Sequence, residues 1–344
     1  MSAMETRKIQ QVGGGTYTVS LPKEWATAAD IEPGAVVALH SHIDGTLVVQ
    51  TDVEDDDDPL LGLSVADADT RSLTRVLRSA YAAGIDRIEL DAPDGVTEET
   101  HRRVERVTRT LTGVTVTDSS DDAIQVRSLL DVEEVSIPQS VRQLQFAALS
   151  THREATAALT ATTPEPPSGQ GDGTDRIAAM VDHYVRRGLD SLSVMDALGL
   201  TRPALFDRWV TARELARVAD HADRIATTAD RLDDPVDAAV AAQIDDLADR
   251  SRDLVRESVG VVLDEAGDTA AARRCLDDCD ELAADIRAFD RRLFETDGAD
   301  YRLIHAVDAL RRTTEAAGEI AEVGLQALLR ERCSSGSADV GQAP

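Results

Sequence analysis

Tyr17, Val19 and Leu21 alternate with Thr16, Thr18 and Ser20, the period of a half-buried β-strand. Gly13 to Gly15 precede that strand, and Thr6 to Val12 before them predicts a first one. Pro22 ends the alternation and suits the first turn of a helix, where a missing N–H leaves no bond unmade. "KEWATAAD" then fills a short helix. After a turn at "IEPG", Val36 to His40 predicts a third strand, Asp44-Gly45 a hairpin turn and Thr46 to Gln50 a fourth strand. From residue 60 the period changes. Leu61 to Val65 reads as a strand, and Asp67 to Ala83 as an amphipathic helix with Leu73, Val76, Leu77 and Ala80 on one face. Ile85 to Leu90 is a strand, and Thr97 to Leu111 a helix with Thr97 as its cap. Val114 to Thr117 and Ala123 to Val126 form a hairpin across "DSSDD". The pattern predicts a small βαβαββ layer, and no phosphate-binding glycine motif or Ser/His/Asp cluster gives it a chemistry.

From Ile137 onward the period is helical. Helices are expected over 138–161, 174–197, 201–232, 234–265, 268–295 and 300–332, broken at "TTPEPP", "GLTRP", "DDP", "AGD" and "TDGAD". Short joins predict antiparallel neighbours, and six such helices make two three-helix units. Two segments support this duplication: "ELARVADHADRIATTADRL" from Glu214 and "ALRRTTEAAGEIAEVGLQAL" from Ala309. Leu215 aligns with Leu310, Arg217 with Arg312, Asp220 with Glu315 and Ile225 with Ile320, at a constant offset of 95 residues. The run "EDDDDP" reads as an exposed junction, and Thr162 to Thr174, rich in Pro, Gly and Ser, as a long loop. The expected organisation is therefore multidomain. Residues 1–52 form a small β-rich domain, 60–135 an α/β domain and 137–332 an all-α domain, with a disordered tail over 333–344.

Composition changes the picture in one respect. The formal net charge is −28, and only two of the 36 basic residues, Lys8 and Lys23, are lysines. With 42% hydrophobic residues at regular spacing, such acidity points to a folded protein adapted to concentrated salt rather than to disorder. The composition resembles that of haloarchaeal proteins; in strong salt self-repulsion is screened while carboxylates keep the surface hydrated. No apolar leader or membrane-length run is apparent, so the chain is expected in the cytoplasm. Three cysteines make no disulfide framework. Cys275 and Cys279 lie one helical turn apart, which suits buried small side chains and leaves metal or redox use as the alternative. No nucleophile triad and no metal motif of intact spacing is present, so an enzyme is not expected.

The stretch "ELARVADHADRIA" resembles the signature helix of PhoU-type phosphate-uptake regulators, roughly E-R-I-[GA]-D-H-A-x-N-I-A, over about residues 137 to 332. That resemblance implies tandem three-helix bundles and a cytoplasmic adaptor that restrains phosphate import or its signalling. In some members it implies metal clusters on E-x-x-x-D motifs. Here the glutamates of the pattern are Ala216 and Arg311, and its asparagines Arg224 and Glu319. Asp220, Asp223, Glu315 and Glu319 remain as carboxylates that a hard cation would accept. In so acidic a chain a solvated face explains them equally, and no stoichiometric transition metal is expected at these positions.

The first fifty residues resemble the SpoVT/AbrB/MazE family of swapped-hairpin DNA-binding modules. The order carries the resemblance: a basic strand, a glycine turn, an alternating strand, "LPK", a short helix, "PGAV" and a closing hairpin. It implies a dimeric β-barrel of interleaved hairpins with Arg7, Lys8, Thr16, Thr18 and Lys23 on its DNA-contacting face. Residues 1 to 52 nevertheless hold three cations against six carboxylates, so the module could serve as a dimerisation clasp alone. The combined expectation is a homodimeric, DNA-binding transcriptional regulator of phosphate uptake with a PhoU-like sensor. The alternative is an adaptor that acts on a phosphate transporter or its signalling partners without binding DNA.

Overall fold

The computed structural model describes residues 6–13, 15–51, 60–64, 69–93, 95–161, 171–264, 267–295 and 300–334. The acidic run and most of the Pro/Gly/Ser-rich loop expected from the sequence lie outside these residues. The chain divides into two compact units, residues 1–57 and 58–344.

In the first unit β1 (Gln10–Val12) pairs antiparallel with β2 (Thr16–Thr18), Gln10 opposite Thr18 and Val12 opposite Thr16. Gly13 turns between them at φ +65°, a conformation that a side chain would strain. Helix α1 (Lys23–Ala28) starts directly behind Pro22. Strands β3 (Ala38–Ser41) and β4 (Leu47–Gln50) form a second hairpin. Its turn is held by the Thr46 N–H donating to the Asp44 carboxylate (2.9 Å) and by Gly45 at φ +81°. Within one chain these are two separate hairpins, not a closed barrel. Among the described residues of this unit only His42 is buried. Val19, Leu21, Leu39 and Leu47 are exposed, and Tyr17 and Val36 keep 70% and 80% of their surface in solvent. Fully burying such a side chain contributes ~1.5–3 kcal/mol, a gain that a single copy of this unit leaves unrealised.

The second unit begins with β5 (Leu60–Ser64), α2 (Thr70–Ala82), β6 (Arg87–Asp91), α3 (Glu98–Thr108), β7 (Val114–Ser119) and β8 (Ala123–Ser128). The sheet order is β5-β6-β8-β7, with β5 parallel to β6 and the other pairs antiparallel. Asp69 and Thr97 cap the two helices by accepting the N–H of Ser72 and Thr100. Leu73, Leu77 and Ala80 are buried as the periodicity predicts. Val76 is not: it lies on the flank of the stripe and stays exposed, and Tyr81 takes the inward position.

A 3₁₀ turn at Val132–Glu134 leads into α4 (Ile137–Thr160), capped by Ser136. The helix expected over 174–197 is two helices, α5 (Gly171–Asp190) and α6 (Leu192–Ala197). Ser191 has extended backbone angles, and its hydroxyl caps α6 on the Val194 N–H, so it ends one helix and starts the next. Because α5 starts at Gly171, the loop before it ends earlier than the Pro/Gly/Ser run suggested. Then follow α7 (Arg202–Ala229), α8 (Ala238–Leu263), α9 (Thr269–Glu295) and α10 (Leu303–Ser334). The last helix carries Cys333 and Ser334, so order extends past the expected start of the tail. Helices α4 and α5 pack on α7, α8 and α9 pack on α10, and α7·α10 and α4·α8 contacts join the two groups. Leu215, Ile225, Leu310 and Ile320 are all buried in the shared core.

The sheet is fastened to these helices through α5. His183 is fully buried, stacked on Tyr81 with ring centroids 4.3 Å apart, and its Nδ1 lies 2.7 Å from the Tyr81 carbonyl. Its Nε2 lies 3.0 Å from Asp86, whose other oxygen pairs with Arg187 at 2.8 Å. Gly84 turns at φ +87° beside Arg187, and a Cβ there would meet Arg187 Cγ at 3.1 Å. Among the described residues no helix is long and apolar enough to cross a membrane.

Candidate functional site

The expected DNA-contacting residues are all exposed. Thr16 and Thr18 share one face of the β1–β2 hairpin, and the Thr18 hydroxyl donates to the Gln10 carbonyl (3.4 Å). Arg7 and Lys8 lie just before Gln10, the partner of Thr18, and so at the open end of that hairpin. Lys23 is the first residue of α1. The strand period therefore assigns the threonines to one face as expected. The other face of the pair, with Tyr17, is as exposed in one chain as the threonine face.

The four candidate metal carboxylates are not brought together. Asp220, Glu315 and Glu319 line one groove of about 640 Å³ between α7 and α10; Asp223 does not line it. Arg217, Arg224 and Arg312 line the same groove. Arg311, which stands where the resembling pattern has a glutamate, pairs with Glu315 and with Asp308. Burial, then the Asp175 carboxylate, raises the pKa of Asp220; burial, then Asp220 and Asp175, raises that of Asp223. Among the described residues no three His, Cys, Asp or Glu side chains form a group that could hold a metal ion. A donor set interleaved with guanidinium groups does not fit a hard cation, because each added positive charge opposes the ion that the carboxylates would attract. Of the two readings of Asp220, Asp223, Glu315 and Glu319, a hard-cation site or a solvated acidic face, the interleaved arginines favour the second.

Sequence reading missed a polar seam at the centre of the helices. Arg252 of α8 is buried and donates to His152 Nδ1 (3.2 Å) and the Thr156 hydroxyl (3.0 Å) of α4, and it pairs with Asp249. Since a guanidinium can only donate, Nδ1 must accept, which keeps the imidazole neutral with its proton on Nε2. Burial, then the Arg252 and His221 charges, lowers the His152 pKa to about 3. His221 of α7 sits 3.4 Å from the Thr313 hydroxyl of α10, and burial followed by Arg224 lowers its pKa to about 4. Ser251 and Thr314 meet at 3.0 Å. One signal was available: Arg252 falls four residues after Ala248 and three before Val255, inside the apolar stripe of its helix.

Comparison with known proteins bears on the N-terminal hairpins. No curated protein matches the chain. A family model described as "Antidote-toxin recognition MazE, bacterial antitoxin" matches residues 10–55, the stretch that holds both hairpins, α1, Thr16, Thr18 and Lys23. Residues 10–55 are a MazE/AbrB-type domain.

Proposed function

We propose that the protein is a homodimeric DNA-binding transcriptional regulator of phosphate uptake, in which the helices of residues 137–332 act as a PhoU-like sensor or adaptor. The observation that carries the first half is a MazE/AbrB-type domain whose hairpins bury none of their apolar side chains. A second copy interleaved with the first would cover Tyr17, Val19, Leu21 and Leu39 and supply the missing core. Both lysines of the protein, with Arg7, Thr16 and Thr18, would then lie on the outside, available to phosphates and base edges. In concentrated salt counterion release adds little, so base and shape contacts would carry more of the affinity.

The second half rests on the signature-like helix at Glu214 to Ala226 and on its repeat 95 residues later. The equivalent burial of Leu215 with Leu310 and of Ile225 with Ile320 supports two related three-helix units. The adaptor reading, in which the N-terminal domain only clasps two copies together, is favoured by three cations against six carboxylates in residues 1–52. Gel shift of the full chain at molar salt on promoter DNA of phosphate-transport genes separates the two. A retarded band that competitor DNA of unrelated sequence does not remove supports the regulator. A dimer that shifts no candidate promoter leaves the adaptor.

A further inference from the structure

Cys275 and Cys279 sit one turn apart on α9, both buried, at 3% and 6% exposure. Cys275 Sγ lies 3.2 Å from the Ser258 hydroxyl of α8. Cys275 is not sealed in. It lines a cavity of about 560 Å³ whose wall includes Gly260 and Ala271, residues too small to close it. Glu257 and Asp278 line the same cavity. The neighbouring Asp264 and Asp268 face Arg142 and Arg332. Arg274 lines the cavity too, so four carboxylates stand against one guanidinium on the way to Cys275, a balance that favours cations over anions.

The spacing decides what this pair can do. Residues four apart on a helix hold their Cβ atoms ~5–6 Å from each other. A relaxed disulfide needs them ~3.5–4.5 Å apart, so joining these sulfurs directly would distort α9. An ion between the sulfurs needs no such closure. Zinc is a poor occupant, because it takes four ligands and no third His, Cys, Asp or Glu joins the pair among the described residues. A soft monovalent cation is content with two thiolates, and thiolate ligands select copper(I). We propose that Cys275 and Cys279 form a two-coordinate site for a soft monovalent cation of the copper(I) type, entered through the cavity beside Glu257 and Asp278. Binding forms two Cu–S bonds and releases two thiol protons to solvent; copper stays monovalent throughout.

The test uses full-length protein carrying Cys333→Ser, which removes the exposed thiol. Reduced protein is titrated anaerobically with copper(I) against a competing copper(I) chelator, and the copper X-ray absorption edge is recorded. The expected result is one copper per chain with two sulfur neighbours. Adding Cys275→Ser or Cys279→Ser should weaken binding by more than the ~100-fold that loss of an outer hydrogen-bond partner costs a metal site. Unchanged affinity in either folded serine variant overturns the proposal. So does a Cys333→Ser protein that takes no copper from the chelator, or an edge spectrum of nitrogen and oxygen donors. If the serine variants do not fold, the absorption spectrum of Cys333→Ser alone decides.

Discussion

At the scale of single residues the most consequential group is one that the periodicity does not mark. His152 is fully buried and neutral, because its Nδ1 must accept from Arg252. Its folded pKa of about 3 lies far below the unfolded value near 6.5. The unfolded chain therefore binds this proton first, and stability falls as pH drops from ~6.5 toward ~3, then changes no further on account of this group. Over the full window the shift corresponds to a loss on the order of 5 kcal/mol. His221, with a folded pKa of about 4, acts in the same direction. His152→Gln keeps an acceptor for Arg252 and has nothing to titrate. Its unfolding midpoint in denaturant should change less between pH 7 and pH 4.5 than that of the wild type, and equal acid sensitivity would remove His152 as the cause. The helix caps, by contrast, could be read directly: Thr97 does what a threonine before "EET" is expected to do. A cap acts within three residues of itself, whereas the partner of His152 lies 100 residues away.

At the scale of elements the helical period located every long helix to within a few residues, but not the break at Ser191 or the closeness of α8 to α10. A serine inside an amphipathic pattern can point to solvent or cap a new helix, and only the packing around Met195 and Leu198 selects the second. Gly324 marks the close approach. A Cβ there would lie 2.6 Å from Val261 Cγ1 and 3.3 Å from the Val261 carbonyl carbon. Alanine is the better helix former by ~1 kcal/mol, so an exposed glycine replaced by alanine would stabilise α10. Here overpacking against α8 should win, and Gly324→Ala should destabilise the protein by ~1–3 kcal/mol. A lowered thermal midpoint is the expected reading; a raised one would show that α8 can yield. The ends of α7 and α10 are held in a similar long-range way, by Arg330 pairing with the buried Asp207.

At the scale of the whole molecule the two units differ in what completes them. Residues 58–344 build their own cores, whereas the N-terminal hairpins leave Tyr17, Val19 and Leu21 in solvent. Val19→Asp should place a charge in the interface that two copies would share, and sedimentation should then report loss of the dimer together with loss of DNA binding. A dimer that survives this change would assign its contacts elsewhere. Replacing Lys8 and Lys23 by glutamine removes four cations per dimer and should leave the dimer intact. If all four contact phosphates, the slope of log affinity against log salt shrinks by ~0.9 for each. An unchanged slope would exclude these lysines as phosphate contacts.

The sequence by itself determined the local order of the molecule. It determined the strand–glycine–strand–proline run of the MazE/AbrB-type domain, the alternation of the α/β layer, and the long helices with the apolar stripes that bury Leu215 and Leu310. All of these follow from periods and breakers that act over a few residues. The tertiary structure alone decided which polar groups would meet. It put Asp86 against His183 and Arg187, Arg252 against His152, and arginines among Asp220, Glu315 and Glu319. In a chain with 64 acidic residues, carboxylates at helical spacing are common. Their chemistry is set by the charges on the neighbouring helix, which sequence spacing does not contain.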